Sequence, residues 1–235
     1  MHERDNGLRT LSDYAPSERV ALLRRLRKVV FVRDPWSRLL SAYLNKFVQE
    51  PEPRRRMWLN TLLKPLRAAR PSSVLLKALD ADATLGSALS FEAFVAILEE
   101  VQRAVAAAEG RQQHDRRQPP VEGRAAASRG RAAIPAVNEH WAPQSELCGL
   151  HALRFDFVGY HADIARDAQG LEAFIGFSAT PPTGTQYGWE GNRNSSRLLR
   201  QYYTRSLVQR VGRLFKSDLS VPLNGVTFSA KDVLG

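Results

Sequence analysis

Hydrophobic positions near the start of the chain change from a continuous run to a helical period. Val29-Val30-Phe31-Val32 is β-branched and aromatic throughout. It is too short for a helix and apolar on both faces, which predicts a buried parallel strand. Arg33-Asp34-Pro35 ends the run, and Pro35 suits the first turn of a helix. Trp36, Leu39, Leu40, Tyr43 and Phe47 then recur at i, i+3, i+4, i+7 and i+11, one face of that helix. Upstream, residues 17–28 (SERVALLRRLRK) predict a short basic amphipathic helix. Ser17 would be its cap, and Val20, Leu22, Leu23 and Leu26 its apolar residues.

From Pro51 to about Ala83 scattered Pro and Arg break the pattern, leaving room for one short helix. Phe91 to Ala108 is helical, with Phe91, Phe94, Val95, Leu98, Val101 and Val105 on one face. Residues 109–133 are Arg, Gln, Gly, Pro and Ala with almost no large apolar residue. They cannot bury enough surface to order themselves, so they are expected to form a disordered Arg-rich insertion. Leu153 to Gly159 predicts a strand, Ala162 to Phe174 a helix and Pro181 to Gly191 a loop. Ser195 or Ser196 can cap a helix running through Tyr203, and Thr204 another in which Leu207, Val208, Val211, Leu214 and Phe215 form a core stripe. Strands separated by helices predict an α/β domain with a parallel sheet flanked by helices, a single domain over 1–235.

Charge adds a partner class. Lys and Arg number 34 against 24 Asp and Glu, a formal net charge of +10. That balance favours polyanions: nucleic acid, acidic lipid, sulfated or carboxylated glycans, or nucleotide phosphates. The arginines of 109–133 have no interleaved aromatic residue to stack on bases, which argues against a nucleic-acid arm. Cys148 is the single cysteine, so no disulfide can form within the chain. No apolar stretch is long enough to span a bilayer, and the first five residues, MHERD, are polar. The expectation is a chain without signal or anchor of its own and without membrane contact.

Candidate chemistry centres on Arg33 and Ser41. A guanidinium just after a buried strand can make a bidentate contact to a phosphate, and a serine hydroxyl adds a hydrogen bond without a second charge. An arginine capping strand carbonyls and a serine facing solvent would give the same spacing. His140, beside Trp141 and Pro143, is the best-placed histidine; it could be a catalytic base, a glycan contact or a hydrogen-bonded turn residue. His114, His151 and His161 lack metal-ligand spacing, so no metal site is expected. Trp141 and Trp189 could stack on sugar rings or pack in a core. Asn194-Ser195-Ser196 is a glycosylation sequon. Asp156 and Glu190 receive no role.

The string VVFVRDPWSRLLSAYLNKF resembles the 3′-phosphate motif of the membrane-bound carbohydrate sulfotransferases, the group containing the chondroitin and dermatan 4-O-sulfotransferases and the HNK-1 sulfotransferase. GLRTLSDYAPSE (7–18), HWAPQSELC (140–148), DFVGY and the segment 195–219 agree with that family in order and spacing. The resemblance implies a P-loop-kinase-like sulfotransferase fold. It implies a reaction that moves a sulfuryl group from PAPS, the co-substrate, to a glycan hydroxyl on an acidic or neutral acceptor. In the family the arginine and serine of the motif bind the donor's 3′-phosphate, which transfers to Arg33 and Ser41, while Arg38, Tyr43, Asn45 and Lys46 match the string. The family's 5′-phosphosulfate loop lies upstream of this motif, and nothing before Arg33 resembles it. The expectation is therefore a fold incomplete at its N-terminal edge, binding donor but transferring sulfate poorly, with Golgi lumenal residence belonging to a longer parent. A catalytically inactive donor- or glycan-binding homologue, or a basic nucleic-acid-binding protein, is the alternative.

Overall fold

A computed structural model describes residues 9–70, 73–81, 89–117, 137–176 and 195–221, together with 223, 228–230 and 233. The expected loop at 181–191 with Trp189 and Glu190, the sequon asparagine Asn194 and residues 118–133 lie outside the described residues. The chain groups into two compact units, residues 1–32 with 152–181 and residues 33–151 with 182–235.

The first unit contains α1 (Pro16–Arg25), β1 (Val29–Val32), β2 (Phe157–Tyr160) and α7 (Ile164–Ile175). β1 and β2 pair in parallel, with Val29 opposite Phe157 and Val32 opposite Tyr160, so the parallel strand expected at 29–32 is present. The second strand is shorter than the sequence suggested: it starts at Phe157 because Asp156 turns its side chain and main chain onto Lys28. The Lys28 N–H donates to Asp156 Oδ2 at 2.7 Å, and the Asp156 N–H donates to the Lys28 carbonyl at 2.8 Å. α1 is capped two positions earlier than expected and ends at Arg25 rather than at residue 28. Its cap is Ala15, whose N–H is taken by the Glu18 carboxylate at 2.9 Å, so Ser17 lies inside the first turn. Val20 and Leu26, expected to be apolar contacts, are each 53% exposed. α7 ends at Gly176, whose φ of 71° closes the helix in the left-handed conformation.

The second unit is helical: α2 (Pro35–Tyr43), α3 (Glu52–Ala69), α4 (Val74–Ala81), α5 (Phe91–Arg117), α6 (Gln144–Leu147), α8 (Ser195–Tyr202), α9 (Arg205–Leu214) and α10 (Lys216–Leu219). α2 starts as its sequence predicts, with Pro35 in the first turn and Asp34 as cap, accepting from the Ser37 N–H at 2.8 Å. A π-helical turn, Leu44–Val48, follows directly. Trp36, Leu39, Leu40, Tyr43 and Phe47 are all buried in one core with Phe91, Phe94, Val95, Leu98 and Val101 of α5 and Leu207, Val208, Val211, Leu214 and Phe215 from the C-terminal segment. Thr204 caps α9, accepting from the Leu207 N–H at 3.2 Å.

Two helical stretches exceed expectation. α3 is a full helix where the sequence suggested a broken region, with Pro53 near its start and Pro65 inside it. Leu59, Leu62, Leu63 and Leu66 hold it to the core, and at about 1.5–3 kcal/mol for each buried leucine their burial outweighs the hydrogen bond that one internal proline removes. α5 continues past Ala108 through Arg117, into the start of the Arg-rich segment. Together the elements make an α/β arrangement, mostly helical with a small parallel sheet. No helix among the described residues is long and apolar enough to cross a membrane.

Candidate functional site

Arg33 is the residue after β1 and the first of the second unit. Its side chain is half-buried and folds along α2, where Nε donates to Ser37 Oγ at 3.0 Å. Ser37 is held in turn by Asp34, through its N–H to Oδ1 and a short hydroxyl contact to Oδ2. Among the described residues the two Nη groups of Arg33 have no hydrogen-bond or ion-pair partner. Burial pulls its proton affinity below the usual guanidinium value, and the Asp34 charge offsets part of that. A half-buried cation with its fork unpaired gains from an anion that replaces lost hydration. Ser41 lies one turn beyond Ser37 on the same face of α2, half-exposed, and its hydroxyl also has no partner among the described residues. The start of α2 therefore carries an arginine anchored at Nε to Ser37 and, one turn beyond Ser37, a serine hydroxyl, groups of the kind that can bind a phosphate.

The backbone of Arg33 is fixed from a distant segment. Gln144 Oε1 accepts from the Arg33 N–H at 3.2 Å, and Gln144 Nε2 donates to the Arg33 carbonyl at 2.6 Å. Gln144 opens α6, and the α10 carboxylate of Asp218 caps that helix. Asp218 Oδ2 accepts from the Gln144 N–H at 3.0 Å, while Oδ1 accepts from the Ser145 N–H at 2.8 Å and the Ser145 hydroxyl at 2.7 Å. Gln144, Ser145 and Asp218 are 8%, 2% and 3% exposed. All three lie in strings that match the resembled family, HWAPQSELC and the segment 195–219, but the sequence gives them no role because their contacts join positions far apart in the chain.

Arg38 adds a second clamp. Nη1 donates to the Ala142 carbonyl at 2.6 Å and Nη2 to the Glu139 carbonyl at 2.7 Å. Burial lowers its proton affinity, Asp218 and Cys148 raise it, and the Arg33 charge lowers it further. Arg38 thus shares its surroundings with the cation of Arg33 but is committed to carbonyls. Cys148, at the end of α6, is a partly buried thiol pushed up by burial, with Arg38 pulling the other way.

His140 lies in the turn between the two carbonyls that Arg38 holds, so α2 carries both Ser41 and the tether of the His140 turn. It is half-buried, its N–H donates to Asn138 Oδ1 at 3.0 Å, and its ring stands edge-on to Trp58 at 5.2 Å. Lys46, from the π-helical turn, places Nζ 4.3 Å from the Trp58 ring centroid. Trp58 is a further residue the sequence reading passed over; its position on α3, one turn before Leu62, was the available signal. Trp141 is buried against Phe47, Phe94 and Trp58, which makes it a packing residue. Among the described residues no group of His, Cys, Asp and Glu could hold a metal ion.

The model of the sulfotransferase family matches residues 1–221. The chain belongs to that family. It is 30% identical over 194 residues to carbohydrate sulfotransferase 10 of Danio rerio, covering 79% of this chain and 44% of the relative. It is 26% identical over 173 residues to carbohydrate sulfotransferase 11 of Rattus norvegicus, with 73% and 39% covered. To carbohydrate sulfotransferase 14 of Homo sapiens it is 28% identical over 167 residues, with 70% and 33% covered. The chain thus spans less than half the length of these relatives. No solved structure matches it. A mostly helical α/β chain with a small parallel sheet is consistent with the sulfotransferase fold.

Proposed function

We propose that this sulfotransferase-family chain carries the 3′-phosphate part of a PAPS site in an enzyme that transfers a sulfuryl group to a glycan hydroxyl. One observation carries the reading: the half-buried Arg33 guanidinium is tied at Nε to Ser37 while its Nη groups have no partner among the described residues. Arg33 would take the 3′-phosphate through its fork, and the Ser41 hydroxyl would supply a neutral hydrogen bond one turn along from Ser37. PAPS supplies the activated sulfuryl group when bound. Arg38 keeps the His140 turn docked on the same helix, and His140 is the proposed base for the acceptor hydroxyl, its ring set by the edge-on contact to Trp58. The net charge of +10 suits an acidic glycan, although a neutral acceptor fits the same chemistry. The acceptor is a glycan rather than nucleic acid, and the working compartment would be the Golgi lumen.

The test compares PAP with adenosine 5′-monophosphate, which lacks only the 3′-phosphate. PAP is expected to raise the melting temperature and the monophosphate to raise it little. Equal shifts would contradict a 3′-phosphate site.

A further inference from the structure

We propose that Gln144 is a positioning residue for the phosphate-binding arginine and that Asp218 acts through it; this rests on the reading of Arg33 as the 3′-phosphate ligand. An arginine on a loop pays entropy when it closes on an anion, and a site that holds it beforehand binds more tightly. Arg33 is held at both ends. The amide of Gln144 occupies its N–H and its carbonyl together, at 3.2 and 2.6 Å, and this fixes the direction in which the side chain leaves the backbone. Ser37 holds Nε at 3.0 Å, so only the Nη edge remains for a ligand.

The residue type is dictated by the contact. One side chain must accept and donate at once, which an amide does and an ionised carboxylate cannot. Glutamate here would lose the bond to the Arg33 carbonyl. Gln144 in turn depends on Asp218, whose buried carboxylate accepts from the main-chain N–H groups of Gln144 and Ser145 and from the Ser145 hydroxyl. Removing one acceptor atom from Asp218 loosens the start of α6 and, through it, the amide that grips Arg33. Neither Gln144 nor Asp218 needs to touch the donor to affect its binding.

The experiment is calorimetric titration of PAP and of adenosine 5′-monophosphate into wild type, Gln144→Leu, Gln144→Glu, Asp218→Asn and Arg33→Ala, with thermal unfolding of each. Gln144→Leu should weaken PAP roughly ten-fold while leaving the monophosphate unchanged, and Asp218→Asn should do the same to a smaller degree. Adding Gln144→Leu to Arg33→Ala should produce no further loss. A purely structural role would weaken both nucleotides together, and a folded Gln144→Leu that keeps the wild-type preference for PAP would overturn the proposal. If Gln144→Leu does not fold, Gln144→Glu is read by the same ratio; failure of both to fold would mark Gln144 as structural and equally overturn it. A wild type without preference for PAP would instead sink the reading of Arg33 on which this rests.

Discussion

The Tyr203 hydroxyl donates to the Trp36 carbonyl at 2.9 Å, at the start of the helix that carries Ser37 and Ser41. The Trp36 indole returns a bond to the C-terminal segment, Nε1 to the Val208 carbonyl at 2.9 Å. The first turn of α2 is therefore tied to α9 and its approach by polar contacts inside an apolar core. Burial pushes the Tyr203 hydroxyl well above the usual tyrosine value.

Tyr203→Phe should cost about 0.5–1.5 kcal/mol, the net contribution of a neutral hydrogen bond, without emptying the core. It should also flatten the alkaline limb of the stability profile. The folded state keeps its proton after the unfolded tyrosine has lost its own, so wild-type stability falls as pH rises above the ordinary tyrosine range. Urea unfolding of both proteins across that range checks it. Parallel alkaline slopes would show that the hydroxyl is not coupled to folding.

In the first unit Gly159 stands opposite Phe31 in the parallel pair. A Cβ built there would lie 2.6 Å from Phe31 Cδ1 and 2.8 Å from Cζ. The glycine of the DFVGY string is thus needed for space rather than for an unusual φ. Gly159→Ala should destabilise by about 1–3 kcal/mol through overpacking, and by less in a Phe31→Leu background. A double-mutant cycle on unfolding midpoints measures this; additive effects would contradict the contact.

Asp156 gives the pH dependence on the acid side. Its carboxyl is held below the usual aspartate range chiefly by the Lys28 N–H, with the Lys28 side chain and the charges of Lys28 and Arg27 adding to it. A depressed value means that its stabilisation is present above the unfolded value and is lost as pH falls through the folded one. Asp156→Asn should therefore be less stable than wild type at neutral pH, with the difference closing below the ordinary aspartate range. Unfolding midpoints through acid pH check this. A difference that persists unchanged at the lowest pH would mean that the charge is irrelevant.

The sequence was most legible where local pattern and tertiary role coincide. The run at 29–32, Pro35 and the spacing of Trp36, Leu39, Leu40, Tyr43 and Phe47 are each local signals, and together they place Arg33 and Ser41 correctly on a strand end and a helix. α3 was misread because Pro53, Pro65 and the Arg54–Arg56 run masked the spacing of Leu59, Leu62, Leu63 and Leu66, which tertiary burial then enforced. The support of Arg33 by Gln144 and Asp218, and the clamp of Arg38 on the His140 turn, leave no periodic trace. Such bonds join segments that meet only in the folded chain.

Calorimetric titration of PAP into wild type, Arg33→Ala, Arg33→Lys and Ser41→Ala shows whether Arg33 and Ser41 hold a 3′-phosphate. A charged hydrogen bond to a partly desolvated phosphate contributes about 1.5–3 kcal/mol, so Arg33→Ala should lose roughly ten- to a hundred-fold in affinity with little change in melting temperature. Arg33→Lys should recover part of the loss, because the charge survives and the planar fork does not. Ser41→Ala should lose less than Arg33→Ala, about 0.5–1.5 kcal/mol. Equal affinities across all four proteins would contradict the account.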